Sequence, residues 1–218
     1  MTENNEYRQL ENMINKGTTT VAIICQDGVV FGTDTRVTMG YFVAHKRGKK
    51  VYKIDEHLAM TIAGVVADAQ NVVEILKANA SLFRLEKERP MPVSAAARLA
   101  ANLLFSSRGF PLILQALIGG IDDSGAHIFA IDPLGSVIEE TYASTGSGSP
   151  IAYGVLEDKY NKNMEVEKGV ALVVSAVTSA MKRDAGSGDS FDVVVIGKEG
   201  YRELTDDEKK AVAAKIIA

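Results

Sequence analysis

A glycine followed by three threonines, Gly17-Thr18-Thr19-Thr20, is the segment of this sequence best suited to nucleophilic chemistry. A threonine hydroxyl is a weak nucleophile and needs a base close by. The α-amine of the same residue can be that base, because its ordinary pKa of about 7.7–8.0 lets it accept a proton near neutral pH. That amine exists only if the chain is cut after Gly17, where glycine leaves the scissile carbonyl sterically open. The motif predicts the precursor of a threonine hydrolase, although three threonines are more often simply the start of a β-strand.

The hairpin that follows Thr18 offers groups that could activate it. If Gln26-Asp27-Gly28 is a three-residue loop, Asp34 lies on the same strand face as Thr18, whereas a two-residue loop places Asp34 on the opposite face. Lys50 ends a run of basic residues and leads into a predicted strand, where its ammonium could lie beside Asp34. A positive charge next to Thr18 would favour the alkoxide and keep the neighbouring amine neutral.

Other common catalytic and binding sites find no support in the sequence. The three histidines lack metal-ligand spacing, and the single cysteine, Cys25, excludes a cysteine-based zinc site, so we expect no metal and no cofactor. There is no phosphate-binding loop and no Gly-x-Ser-x-Gly nucleophile elbow. Cys25 lies inside an apolar run and is expected in the core rather than in catalysis.

Composition favours a globular protein without nucleic-acid or membrane partners. Of the 218 residues, 46% are hydrophobic and 24% are charged, and the net charge of −4 is spread over mixed acidic and basic residues. The N-terminal segment lacks the apolar region of a secretory signal, and no apolar stretch approaches the ~18–20 residues that span a bilayer. A lone thiol agrees with a reducing compartment. We therefore expect a cytoplasmic protein.

Strand and helix periodicities alternate along the chain in groups. Residues 1–17 form a polar segment with apolar residues at helical spacing, and strand groups alternate with helix pairs after it. Strands are predicted over 18–25, 29–35, on both sides of the basic turn 46–49, and over 57–63, 112–121, 127–131, 137–142, 191–196 and 201–203. Helices are predicted from about 67 for five turns, over 95–106, 151–160 and 167–183, and from a capping box at 205–208.

This order disfavours a doubly wound parallel sheet, which needs single βαβ crossovers. Several strands, such as 21–25, are apolar on both faces, as expected where both faces of a sheet are covered. The predicted fold class is α/β (α+β), a four-layer α/β/β/α sandwich of two antiparallel sheets.

Six segments form a specific set: GTTTV at 17–21, GTDTRVT at 32–38, GKK at 48–50, MTIAG at 60–64, YASTGSGSP at 142–150 and KRDAGSG at 182–188. In this order and spacing they resemble the β subunits of the proteasome core particle, most closely the archaeal-like form. The resemblance extends from residue 17 to at least 196. It implies an N-terminal-nucleophile hydrolase fold, with 1–17 as a propeptide and 18–218 as the catalytic domain.

The resemblance also implies roles for individual residues. Thr18 would be the nucleophile, exposed by autocatalytic cleavage of the Gly17–Thr18 bond, with its freed amine as the proton acceptor. Lys50 would lower the pKa of the Thr18 hydroxyl, and Asp34 would hold Lys50. The supporting hydrogen-bond network around the new terminus would comprise Ser147, Asp184 and Ser187.

Substrate contacts are implied in the same way. The N–H of Gly64 would stabilise the tetrahedral oxyanion, and the substrate would bind as an added strand paired with the segments around Thr38 and Gly64. Val37, Ile62 and Val66 match positions that shape the primary specificity pocket, unless they are simply core residues. Because all three are apolar, we expect cleavage after hydrophobic residues.

The implied partners are other β subunits in a ring, α-subunit rings, an ATP-dependent unfoldase acting through the α rings, and unfolded protein substrates. Two alternatives remain open. A catalytically inert ring subunit should lack Thr18, Lys50 or Gly17, yet all three are present. A small-molecule amidase of the same fold would not need assembly into a closed chamber.

Overall fold

Twelve strands and five helices lie within residues 17–107 and 109–217, which are the residues that the computed structural model describes. The helical spacing predicted for the first residues, and nearly all of the predicted propeptide, lie outside the described residues. In chain order the strands are β1 Thr20–Cys25, β2 Gly28–Asp34, β3 Val37–Met39, β4 Phe42–His45, β5 Val51–Asp55, β6 Leu58–Gly64, β7 Leu114–Asp122, β8 Gly125–Ile131, β9 Val137–Glu140, β10 Tyr142–Thr145, β11 Phe191–Gly197 and β12 Gly200–Glu203. The helices are α1 Val66–Lys87, α2 Val93–Ser106, α3 Ser149–Lys159, α4 Val166–Met181 and α5 Asp206–Ile217.

Two five-stranded antiparallel sheets lie at the centre of the fold. The first has the strand order β10-β1-β2-β11-β12 and the second has the order β5-β6-β7-β8-β9, while β3 and β4 pair as a separate hairpin. Phe31, Leu117 and Ile128 are among the residues that fill the core between the two sheets. This pairing confirms the predicted sandwich of antiparallel sheets.

Helices cover the outer face of each sheet and create two further cores. The pair α1 and α2 packs on the second sheet, where Leu76 and Leu104 are fully buried. On the first sheet, α3, α4 and α5 pack over Val21, Ile23 and Val30. Burial on both faces explains why β1 is apolar from Val21 to Cys25 instead of alternating with polar residues. The four-layer α/β/β/α prediction is confirmed.

The loop between β1 and β2 has two residues, so the three-residue alternative is wrong. Gly28 pairs with Cys25 and belongs to the strand rather than to the turn. A Cβ at Gly28 would lie 2.7 Å from the carbonyl oxygen of Ile196, so a glycine is needed there because β11 approaches closely. The sequence predicted Gly28 as a turn residue, whereas the structure shows that glycine is needed there because of β11.

Several predicted elements differ from the structure. The stretch 137–142, predicted as one strand, is divided at Thr141 between β9 of the second sheet and β10 of the first. The hairpin of β3 and β4 was not predicted as a separate unit. Helix α2 begins two residues earlier than predicted, because the Asp122 carboxylate accepts the N–H of Val93 at 2.9 Å and so caps the helix from another element. In the part of the chain that the structure describes, no helix is both long and apolar enough to span a bilayer.

Candidate active site

Thr18 lies just before β1 and lines a cavity of about 780 Å³. Its side chain is almost completely buried, and its hydroxyl donates to the carbonyl oxygen of Gly17 at 2.7 Å. Its backbone N–H donates to Ser147 Oγ at 3.2 Å. In the uncut chain the hydroxyl is thus held against the peptide group that precedes it.

The carboxylate of Asp34 is completely buried and accepts four hydrogen bonds. Its Oδ1 receives the Thr19 N–H at 2.9 Å and Lys50 Nζ at 2.8 Å, and its Oδ2 receives the N–H groups of Arg36 and Gly188, both at 3.0 Å. Four donors offset the cost of burying a charge. The two-residue loop pairs Asp34 with Thr19, so the carboxylate does not share a strand face with Thr18 and meets the site through Lys50.

Lys50 is held at the edge of the second sheet, beside the same cavity. Its carbonyl oxygen accepts the N–H of Ile62 at 3.0 Å, which ties it to β6. Only 6% of its side chain is exposed, and its ammonium pairs with Asp34. Burial lowers the pKa of Lys50, while the charge and hydrogen bond of Asp34, and the charge of Asp184, act in the opposite direction.

A chain of hydroxyl groups surrounds the backbone nitrogen of Thr18. Asp184 Oδ2 accepts the hydroxyls of Ser147 and Ser187, each at 2.6 Å. Because Ser187 donates its proton to Asp184, the 2.7 Å contact between Thr19 Oγ1 and Ser187 Oγ has Thr19 as the donor. The structure therefore brings the three predicted network residues together, and it adds Thr19, for which the sequence carried no signal beyond strand propensity.

Glycines let the surrounding loops approach Thr18 closely. Gly17 and Gly186 touch, and a Cβ on either residue would overlap the backbone of the other. Gly146 has a φ of 89°, and a Cβ there would overlap the carbonyl of Thr18. The glycine before Thr18 thus has a packing reason that the sequence alone could not reveal.

The predicted substrate-binding residues lie in one cavity with Thr18. Gly64 ends β6 with a φ of 138°, and a Cβ there would overlap the carbonyl oxygen of Ile113, so this position requires glycine. The remaining residues that were predicted and that line the cavity are Val37, Thr38, Ile62 and Val66.

Polar side chains that the sequence did not indicate also line this cavity. The sequence predicts a basic turn over 46–49, and part of this turn lines the cavity. The polar lining residues missed by sequence reasoning are Arg36, His45, Arg47, Lys49, Tyr52 and Gln70. Only tertiary contacts could have identified them, because a solvated turn and a cavity rim have the same composition.

Cys25 lies away from this site, in the core between the first sheet and its helices. Burial raises the pKa of its thiol to about 12, and the charges of Asp27 and Glu167 act in the same direction. A thiol with so high a pKa is a poor nucleophile at neutral pH. No cluster of metal-binding side chains occurs within residues 17–107 and 109–217.

Comparison with known proteins gives a consistent result. A family model described as proteasome subunit matches residues 14–196. The chain is 50% identical to the proteasome subunit beta of Ferroglobus placidus, over 95% of this chain and 99% of that protein. It is 50% identical to the proteasome subunit beta of Methanothermobacter thermautotrophicus over 88% of this chain and 92% of that protein, and 48% identical to that of Archaeoglobus fulgidus over 94% and 97%.

Proposed function

The chain belongs to the proteasome subunit family, and we propose that it is a proteolytic β subunit of the core particle whose nucleophile is Thr18. The observation that carries the proposal is that Thr18 lines one cavity with Lys50, whose ammonium pairs with the buried Asp34, and that the N–H of Thr18 contacts a serine–aspartate network. In this proposal residues 1–17 are a propeptide and 18–218 the catalytic domain.

Activation begins with the Gly17–Thr18 bond. The hydroxyl oxygen of Thr18 attacks the carbonyl carbon of Gly17, the peptide C–N bond breaks as the departing nitrogen takes up the hydroxyl proton, and an ester to the threonine oxygen remains. Water then hydrolyses the ester, releasing the propeptide as a carboxylate and restoring the hydroxyl. The 2.7 Å contact between the hydroxyl and the Gly17 carbonyl supports this step. The product carries a free α-amine on Thr18.

Peptide hydrolysis uses the two groups now present on one residue. The Thr18 hydroxyl attacks the substrate carbonyl while its α-amine accepts the proton, and Lys50 favours the developing alkoxide. The N–H of Gly64 stabilises the oxyanion, and Ser147 and Asp184 orient the amine. The tetrahedral intermediate then collapses, the peptide C–N bond breaks, and the leaving amine takes the proton held by the α-amine. Water hydrolyses the remaining acyl ester and restores the hydroxyl, which completes a threonine endopeptidase cycle.

The contact between Gly17 and Gly186 predicts that the Gly17→Ala variant is processed slowly. Its added methyl group would overlap the Gly186 backbone and displace either the scissile carbonyl or the loop that carries Ser187. Because a misplacement of about 1 Å can slow a reaction by 10²-fold, we expect cleavage to slow by about tenfold to a hundredfold. The conversion of precursor to mature chain, followed by intact-mass spectrometry, measures this rate.

Gly154→Ala is the matched control for this variant. Gly154 lies in α3 with open space at its Cβ position, and alanine is the better helix former there. Wild-type processing of Gly154→Ala together with slow processing of Gly17→Ala is expected. Equal rates for both variants and the wild type would contradict the assigned role of the Gly17 contact.

The apolar wall of the cavity predicts the residue after which the enzyme cuts. A buried leucine or phenylalanine side chain contributes about 1.5–3 kcal/mol against Val37, Ile62 and Val66, which corresponds to roughly tenfold to a hundredfold in kcat/KM. Fluorogenic peptides that end in leucine or phenylalanine should therefore be hydrolysed faster than matched peptides ending in aspartate or lysine. Preferred turnover of either charged series would contradict the assignment.

Assembly and location complete the proposal. The subunit would form rings with other β subunits and stack against α-subunit rings in the cytoplasm, and an ATP-dependent unfoldase would deliver unfolded chains through the α rings. Mass spectrometry of the chain in assembled particles tests the proposal, because the mature chain should begin at Thr18. A chain that still begins at Met1 would indicate an inert ring subunit, and a stable monomer active on small amides would indicate the amidase.

A further inference from the structure

Among the described residues, five basic residues and no acidic residue line the cavity around Thr18. The basic lining residues are Arg36, His45, Arg47, Lys49 and Lys50. A concave surface with charge of one sign concentrates its electrostatic field and attracts ligands of the opposite sign. A ligand can pair only with those basic side chains that are not already paired inside the protein.

Two of the cations are committed to partners inside the protein. Lys50 Nζ pairs with the buried Asp34 at 2.8 Å. Arg36 Nε pairs with Asp189 at 2.8 Å, and its Nη1 donates to a backbone carbonyl. Both therefore serve the internal structure of the site.

Arg47 and Lys49 are differently placed. Within the described residues Arg47 forms no hydrogen bond or ion pair, and the nearby Asp206 is already paired with Lys209 at 2.8 Å. Lys49 pairs with Glu203, but about half of each side chain is exposed, and such pairs are weak. Arg47 thus retains its full set of donors, and Lys49 can exchange its partner.

Gly48 connects these two cations to the apolar wall. A Cβ at Gly48 would overlap the side chain of Val37, so the backbone between Arg47 and Lys49 packs directly on the wall that receives the hydrophobic residue. The N–H of Gly48 also donates to the carbonyl of Thr35 at 2.7 Å, which fixes the segment. A ligand on the wall therefore lies next to the backbone of this segment, and Arg47 and Lys49 line the same cavity.

We propose that Arg47, assisted by Lys49, forms a subsite for an acidic side chain of the substrate, near the hydrophobic residue after which the chain is cut. The proposal rests on the proposed function of Thr18. The guanidinium matches a carboxylate with two parallel hydrogen bonds. The favoured substrates are unfolded segments in which aspartate or glutamate lies close to a hydrophobic residue.

The test uses assembled particles and fluorogenic peptides with leucine at the cleaved position. Aspartate, asparagine or lysine is placed in turn at each of the three preceding positions. At one position we expect kcat/KM for aspartate to exceed that for asparagine by about three- to tenfold, with lysine lowest. The advantage of aspartate should shrink when salt is raised from about 0.05 to about 0.5 M, because exposed charges are then screened.

Two matched variants locate the effect. Arg47→Gln should bring the aspartate-to-asparagine ratio close to one while the asparagine peptide is still hydrolysed. Lys46→Gln removes the same charge at the neighbouring exposed residue, whose side chain does not line the cavity, and it should keep the wild-type ratio. An equal loss in both variants would reduce the effect to net charge and overturn the subsite.

The results distinguish a failure of the proposed subsite from a failure of the proposed function of Thr18. If the asparagine peptide is hydrolysed by the wild type and not by Thr18→Ala, the proposed function stands. A ratio of one or less at all three positions would then overturn the subsite alone. If hydrolysis of the asparagine peptide does not depend on Thr18, the proposed function fails and the subsite fails with it.

Discussion

Replacing Thr18 with alanine is expected to abolish peptide hydrolysis and to leave the chain uncut. The substitution removes the attacking oxygen for both reactions, and loss of a catalytic nucleophile lowers turnover by about 10⁴-fold or more. Among the described residues, the Thr18 side chain makes one hydrogen bond, to Gly17, so the fold and the assembly should persist. Intact-mass spectrometry of assembled particles and hydrolysis of a leucine peptide measure the two effects.

Thr18→Ser is the matched control, because it keeps both the hydroxyl and the α-amine. It should be processed and should hydrolyse peptides, at a rate lowered by the greater rotational freedom of serine. If Thr18 supplies both the nucleophile and the base, a second prediction concerns the uncut chain. A chain verified as uncut must be inactive, and turnover by such a chain at the rate of the trimmed form would contradict the assignment.

The layers of the fold could be predicted because buried positions are occupied by apolar residues at the spacing of a strand or a helix. The strand β1 is apolar on both faces, and α4 repeats apolar residues at helical spacing. The hairpin of β3 and β4 shows no such pattern, since Met39, Tyr41 and Phe42 are apolar and yet exposed. Apolar residues that are not buried carry no periodicity, so the boundaries of this hairpin could be found only from the backbone pairing.

The sequence predicted the candidate catalytic residues, but it did not predict the contacts that position them. The resemblance assigned roles to Thr18, Asp34 and Lys50, and the structure brings Asp34 and Lys50 into contact. The contacts of Thr19 with Ser187 and of Gly17 with Gly186 join residues far apart in the chain. Neither contact changes the residue type expected in a strand or a loop, so neither leaves a signal in the sequence.

Replacing Lys50 with methionine is expected to abolish activity and also to destabilise the protein. The variant leaves Asp34 as a buried carboxylate without its charged partner, and breaking a buried ion pair in this way costs about 3–5 kcal/mol. It also removes the cation that favours the Thr18 alkoxide. Peptide turnover and the thermal midpoint of the assembled particle measure the two losses.

The double variant Lys50→Met with Asp34→Asn separates these two roles of Lys50. Asparagine removes the buried charge while keeping most of the hydrogen-bonding shape of Asp34, so the thermal midpoint should recover much of what Lys50→Met lost. Activity should not recover, because no cation remains beside Thr18. Return of activity together with stability would mean that Lys50 only neutralises a buried carboxylate, and its assigned part in activating the nucleophile would have to be abandoned.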